Sequence, residues 1–434
     1  MLGVRSSHGQ RRKPFRCQSD ATRCARYPRR AGTVAEWKGV RVRFLVGQTE
    51  LADAVSWAAH ALPDRSPVPV HLGLMLTAEH GVLTVSGTGQ DAWAAGTVTL
   101  PAGADGGRAL VPGRALAELT RALPEAHEVQ LAVADGELTL ECGPVRFALP
   151  LIPPDSYPAA PRVPAAAGTV DAARFARAVA QVAVSAGRDD TLPVLTGVWL
   201  ETEGDRLRLV ATDRYRLTVR DLPWHPARPE HEGNGDARGP DRGIRALVPA
   251  KSLLALARSA AGDGELSLAA RTGADGTAST GAGVLALRSG SRSATTRLLS
   301  GTFLKYAALF PDTFPGSAVV ERRPLLAAVR RVSLVAQGPA PLRLTLTGDA
   351  VVVELGDGGE ARGRESVPAL VDGPAVRLSA DRRYVLDALS AITDPYTELS
   401  YLGPAQPAVF TGRSAPDAAH DPGHRCLVML NKRS

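Results

Sequence analysis

Asp189-Asp190, side by side, and Asp213, set before Arg214, Tyr215 and Arg216, are the first carboxylates that acid–base chemistry would draw on. Such chemistry needs two groups converging on one reacting atom. Neighbouring residues in an extended segment point apart, and a carboxylate among arginines is expected in an ion pair. The nine histidines form no H-E-x-x-H, and His225 and His231 fall in a loop rich in Pro, Gly, Asp and Arg. The chain also has no C-x-x-C, no G-x-S-x-G and no glycine-rich strand-to-helix phosphate loop. These residues predict a protein that is not an enzyme and has no metal or cofactor of its own.

The chemistry that the residues do support is attraction of anions by helix faces. Six segments with helical character carry Arg114, Arg121, Arg174, Arg177, Arg188, Lys251, Arg258, Arg322, Arg323, Arg330, Arg331, Arg382 and Arg383. Against these thirteen stand seven acids: Glu50, Asp53, Glu118, Asp171, Glu321, Asp381 and Asp387. Arg114/Arg121 and Lys251/Arg258 are each seven apart, so each pair shares one helix face. One reading is a phosphate-facing surface without base readout; the other is ordinary solvated helix. Bulk charge does not decide it. The chain has 51 basic and 44 acidic residues, net +7, but residues 1–40 hold ten of the basic and two of the acidic ones, leaving the rest at net −1.

The elements that position these faces repeat. Leu110-Val111-Pro112-Gly113-Arg114-Ala115-Leu116 is echoed by Leu247-Val248-Pro249-Ala250-Lys251-Ser252-Leu253, 137 residues on. A looser copy begins at Leu378 and runs through Asp381-Arg382-Arg383 to Leu389. Each is a strand entering a helix. A second helix opens each unit: 48–61 with Leu51, Val55 and Ala58; one with Phe175, Val179, Val182 and Ala186; and 322–336 with Leu325, Leu326, Val329 and Val332. In the middle one Arg174, Arg177 and Gln181 are expected on the face away from the core. Alternating strands follow at Val194–Leu200, Asp205–Ala211 and Arg216–Leu222, with a turn at Glu203-Gly204-Asp205. The class is α+β, three tandem domains each with a sheet and two helices on one face.

Prolines mark the boundaries, giving domains over 42–163, 164–311 and 312–434. Segments 224–243 and 412–423 read as mobile insertions. Residues 1–41 form a basic leader without the apolar core of a signal peptide, so export is not expected despite Arg11-Arg12 and Arg29-Arg30. Glu36-Trp37-Lys38-Gly39 must be encoded by a purine-rich stretch like a bacterial ribosome-binding site, which predicts initiation at Val42. Cys17, Cys24, Cys142 and Cys426 show no metal-ligand spacing and are expected as free thiols in a reducing cytoplasm. No stretch approaches the roughly 20 apolar residues of a membrane helix.

At Thr191-Leu192-Pro193-Val194-Leu195-Thr196-Gly197-Val198, followed by Leu209-Val210-Ala211-Thr212-Asp213-Arg214-Tyr215-Arg216-Leu217, the sequence resembles the bacterial DNA polymerase III beta subunit family, the sliding clamps. The resemblance runs from Val42-Arg43-Phe44 to Leu427-Val428-Met429. It implies a head-to-tail homodimeric ring of pseudo-sixfold symmetry with helices lining a central hole for duplex DNA, tethering the replicative polymerase and opened by an ATP-dependent loader. Arg65 and Lys251 then resemble DNA-contacting residues of the family, and the other helix cations (Arg114, Arg121, Arg174, Arg177, Arg258, Arg322, Arg323, Arg382 and Arg383) join them by pattern. Phe147 and Leu149 of Arg146-Phe147-Ala148-Leu149 would close the ring against Val335.

The resemblance also implies a groove for partner peptides from polymerase, loader and repair proteins at Leu195, Thr212, Arg214, Tyr215, Arg216, Leu217, Leu304, Leu309, Val428 and Met429. Here the chain departs from the family. Phe-Pro-Asp-Tyr is Phe303-Leu304-Lys305-Tyr306, the basic pair that follows is Ala307-Ala308, and the ending is Met429-Leu430-Asn431-Lys432. In the first domain Thr88 is followed by Gly89 instead of Asp. Two functions remain open: a working processivity clamp, or a divergent paralogue with altered partners, serving repair or tolerance of an inhibitor.

Overall fold

The computed structural model describes residues 42–102, 106–125, 127–227, 243–262, 264–271, 283–335, 340–355 and 362–431. The basic leader, with Cys17 and Cys24, lies outside the described residues, as do 228–242 of the Pro/Gly-rich loop. The first group of elements is β1 (Val42–Gly47), α1 (Gln48–Ala59), β2 (Gly73–Glu79), β3 (Val82–Thr88), β4 (Ala92–Thr99), β5 (Gly107–Pro112), α2 (Gly113–Ala122), β6 (Glu128–Ala134), β7 (Glu137–Cys142) and β8 (Val145–Pro150). The second is β9 (Gly168–Asp171), α3 (Ala172–Ala183), β10 (Gly197–Glu203), β11 (Arg206–Thr212), β12 (Arg216–Pro223), β13 (His225–Pro226), β14 (Arg245–Pro249), α4 (Ala250–Ala260), β15 (Glu265–Arg271), β16 (Val284–Ser289) and β17 (Arg292–Arg297). The third is β18 (Gly316–Glu321), α5 (Arg322–Ser333), β19 (Leu342–Thr347), β20 (Ala350–Leu355), β21 (Gly363–Asp372), β22 (Val376–Ala380), α6 (Arg382–Ala391), β23 (Tyr396–Tyr401), β24 (Ala408–Arg413) and β25 (His420–Val428).

Each group has a main core, and that of the second group takes in Trp57, Ala61 and Ala94 of the first. In α3, Phe175, Val179 and Val182 fall on one stripe and are fully buried, and Asp171 caps the helix by accepting the Arg174 N–H at 2.7 Å. Asp381 caps α6 in the same way. Successive helices pack in pairs, α1 on α2, α3 on α4 and α5 on α6. Gly204, at a φ of +59°, turns β10 into β11, where a side chain would be strained.

The sheets run across the groups. β17 pairs antiparallel with β4, joining the second group to the first, and β25 pairs with β12, joining the third to the second. The result is a nine-stranded sheet, a twelve-stranded sheet and a four-stranded sheet in the order β1-β6-β7-β8. By position in their groups, β4, β12 and β21 are equivalents, as are β8, β17 and β25. Each junction therefore joins the last strand of one group to the fourth strand of the group before it. Two strands are left over: β8 at the edge of its sheet, and β21, whose first half pairs only with β20.

Several expectations are corrected. Residues 193–196 form a short 3₁₀ turn, with the strand starting at Gly197. Trp224 is not in a mobile loop: it is buried in the second core, and His225-Pro226 pair with β9. Segment 412–423 is largely a hairpin, with Arg413 opposite His420. Gln181 is buried rather than on the open helix face, because α6 lies against α3, and its Nε2 donates to the Ala391 carbonyl at 2.6 Å. Cys142 and Cys426 are free and buried.

The β12–β25 seam encloses a polar chain. Ser185 Oγ lies 2.7 Å from Thr218 Oγ1, which donates to Cys426 Sγ, and that sulfur is 3.6 Å from His424 Nε2. Burial, reinforced by the charge of Arg220, pulls the His424 pKa from 6.5 down to about 4. The folded chain thus refuses a proton that the unfolded chain accepts, so stability is lost as pH falls from 6.5 towards 4, by about 3 kcal/mol in all. Melting temperatures recorded across that window are expected to fall less steeply for His424→Gln than for the parent; parallel curves would refute the assignment.

Candidate functional site

The expected DNA-facing cations, Arg65 in the loop after α1 and the others on helices, differ in what holds them. Arg65, Arg121, Arg174, Arg177, Lys251, Arg258 and Arg323 are exposed. Arg174 and Arg177 flank a cavity of about 270 Å³ with Arg220 of β12. Arg114 is exposed but bound to Asp64 at 2.7 Å, and Arg383 to the capping Asp381 at 2.7 Å. Such surface pairs are weak enough, at roughly 0–1 kcal/mol, for a phosphate to compete for the arginine. Arg382 is half-buried. Arg322 is committed elsewhere: its Nε donates to the Asp394 carbonyl at 2.8 Å and its Nη1 to the Leu389 carbonyl at 3.4 Å, tying the start of α5 to the end of α6.

The groove residues divide between the two faces of the seam. On the face away from the helices, Leu217 and Leu427 are ladder partners and pack with Val210, Val219, Val409, Phe303 and Tyr306. The connecting segment between the second and third groups lies over this cluster, with Phe303 stacked on Trp199 at 5.8 Å and Leu304 half-buried against it. Burial raises the Tyr306 pKa to about 12, and its hydroxyl binds Glu201. Leu309 and Met429 stand out from this face, 47% and 40% exposed; Tyr215, 54% exposed, stacks on Tyr384 of α6, and its carbonyl accepts from the Met429 N–H at 2.8 Å. Leu195 is half-buried, its carbonyl accepting from the Gly187 N–H at 2.7 Å.

Three expected groove residues point elsewhere. Arg216 turns to the helix side, binds Asp213 and Asp387, and lies over the Tyr384 ring. Val428 is buried in the third core, and Thr212 is buried with its hydroxyl donating to the Arg216 carbonyl at 2.6 Å. Arg214 is exposed with a φ of +79°, a conformation that suits glycine. Leu427 was not singled out from the sequence, although alternation from Met429 puts it on the same face. Among the departures, Leu430 joins the third core while Ala307, Ala308 and Asn431 are exposed. Gly89 has a steric reason: a Cβ there would sit 2.4 Å from the Ala61 carbonyl oxygen.

At the two leftover strands, Phe147 on β8 is 37% exposed, whereas Leu149 is buried in the first core. Beside β21, Leu334 is 84% exposed. Val335, expected as the apolar contact, instead packs partly into the third core, because the turn after α5 directs Leu334 outward. Arg331 and Glu365 are bound to each other next to this edge.

Three like groups joined strand to strand in one sense, with paired helices on one face of the sheets, define a DNA-clamp fold. The N-terminal, central and C-terminal domain models of the DNA polymerase III beta subunit match residues 42–161, 169–305 and 307–422, and the chain belongs to that family, whose members are non-catalytic processivity factors. It is 40% identical over 389 residues to the beta sliding clamp of Streptomyces coelicolor, covering 89% of this chain and 98% of that one. It is 34% identical to the beta sliding clamp homolog GriR of Streptomyces muensis, with the same coverages. Among solved structures, the Pseudomonas aeruginosa clamp bound to griselimycin superposes with a TM-score of 0.78 at 21% identity, covering 90% of this chain and 99% of that one. The Bacillus subtilis clamp gives 0.77 at 20%, covering 91% and 100%.

Because Arg322 holds two buried-end carbonyls, Arg322→Ala is expected to cost about 1–2 kcal/mol in urea unfolding. Arg323→Ala, at an exposed residue with no hydrogen bond or ion pair among the described residues, should stay within roughly 0.5 kcal/mol of the parent. Equal shifts in the two urea midpoints would reverse this division of roles.

Proposed function

We propose that this chain is a sliding clamp that encircles duplex DNA as a head-to-tail homodimer and tethers the replicative polymerase through the outer-face groove. The observation that carries the ring is the pair of equivalent junctions. β17–β4 and β25–β12 use the last strand of one domain and the fourth of its predecessor, leaving β8 and β21 as the matching pair of a second copy. Phe147 and Leu334 supply exposed apolar surface for that contact. The exposed cations, Arg65 in the loop after α1 and Arg121, Arg174, Arg177, Lys251, Arg258 and Arg323 on the helices foremost, then act on the DNA backbone by charge alone, which binds any sequence and permits sliding. Domain limits at 42–163, 164–311 and 312–434, a cytoplasmic setting, and engagement by a clamp loader and repair proteins belong to the same proposal. No described helix is long and apolar enough to cross a membrane.

The second reading, a paralogue with altered partners, draws on Leu304, Ala308, Leu430 and Asn431: Ala307 and Ala308 stand where the family has a basic pair and Asn431 where it has an apolar residue, while Leu430 replaces the family's proline from within the third core. A fluorescent peptide from the clamp-binding segment of the same organism's replicative polymerase separates the two. Micromolar binding to a folded dimer, lost in Leu217→Ala and Met429→Ala, is expected of the working clamp; a dimer that ignores the peptide would favour the paralogue.

Ring closure is tested separately by light scattering. Leu334→Asp and Phe147→Asp are each expected to convert a dimer of the parent into a folded monomer, since a charge would be buried without a partner. Dimers unchanged in both variants would rule out the β8–β21 contact.

A further inference from the structure

Arg425, Leu427 and Met429 stand at i, i+2 and i+4 on and just beyond β25, so their side chains share the outer face. Arg425 borders two neighbouring cavities of about 410 and 620 Å³. Its guanidinium lies 4.4 Å from the centre of the Phe310 ring, and Phe310 directly follows Leu309 of the groove. The other arginines of these cavities are matched: Arg208 holds Asp221 through two hydrogen bonds of 2.7 and 2.9 Å, and Arg206 reaches the same carboxylate.

Arg425 has no such partner among the described residues. Its Nε is buried without a hydrogen bond, and so is Oγ1 of Thr411, the residue facing it on β24. Burial lowers the Arg425 pKa, so the charge is held there at a cost. Asp221 offsets this in part, but no carboxylate among the described residues is hydrogen-bonded to Arg425, and Asp421 is held by Arg220. Asp221 is occupied by Arg208, Glu398 is bound by Arg413 at 2.9 Å and approached by His420 at 3.5 Å, and Asp312 and Asp372 are exposed at the other wall.

A half-buried guanidinium whose Nε lacks a partner, beside an unmatched hydroxyl, suits the two oxygens of a carboxylate. Phe310, Phe314 and Val409 give the cavity apolar walls for the stem that carries it. From Met429 to Arg425 is four residues, about 13 Å of extended chain. We propose that Arg425 and Thr411 form a subsite for an acidic residue, taking the aspartate or glutamate of a partner peptide about four residues beyond the segment seated in the groove. The subsite rests on the groove assigned above.

The test uses the polymerase peptide extended by four residues at either end, with Glu or Gln last, titrated into the full chain by fluorescence anisotropy. For one end, Glu is expected to bind about fivefold more tightly than Gln at low salt, with the ratio shrinking as salt rises. Arg425→Gln should erase the ratio and leave the unextended peptide's affinity unchanged. If Arg425→Gln does not fold, Arg425→Lys, which keeps the charge but loses the planar fork, should reduce the ratio. Equal binding of Glu and Gln at both ends, or a Glu preference untouched by these substitutions, would overturn the subsite while the groove stands. An unextended peptide that fails to bind would remove the working-clamp reading on which the subsite rests, and the subsite with it.

Discussion

An unpaired strand edge is the constraint on which the rest depends. Backbone N–H and C=O groups along an edge need partners, and an open, flat edge invites another strand. This chain meets the demand twice internally, at β4–β17 and β12–β25, each time with the same pair of positional equivalents. Side chains reinforce both seams. Trp57 donates to the Ser293 carbonyl and Arg292 pairs with Asp53 at the first; Arg220 binds Asp421 and Gln181 reaches the end of α6 at the second.

Continuous sheets also separate two chemistries. The helix side carries cations in excess over a chain that is close to neutral outside its leader, so location rather than amount of charge serves DNA. The other side, over the second seam, is apolar, built from strand residues and from the segment that links the second and third domains. Under the function proposed above, partner proteins seated there would stay off the surface that the nucleic acid uses. The polymerase and the DNA can be held at once.

The parts legible in the sequence were those whose signal is local. Stripes of Phe175, Val179 and Val182, the strand-to-helix repeats and their offsets carry helical and strand periods within a few turns, and these specified α+β domains in threes. What was not legible depends on contacts between distant segments. Gln181 matches a polar helix face until α6, some 200 residues on, covers it. Arg322 looks like any helix cation, yet two carbonyls near residue 390 consume it. Leu334 and Val335 are both apolar, and only the turn after α5 decides which faces out. Arg216 and Val428 were assigned to the groove by motif, but alternation along β12 and β25 sends them to the opposite face from Leu217 and Leu427. The departures at Leu430 and Gly89 became intelligible only once a core and a carbonyl were found beside them.

The two internal seams have a mechanical consequence. Strands joined by one chain meet at an effective concentration on the order of millimolar, so a seam that opens recloses at once. A seam between separate chains has no such tether and competes with dilution. In the proposed ring of two copies the internal seams would act as welds, and β8 against β21 as the latch. Whatever admitted DNA to such a ring would meet its least resistance at these two gates.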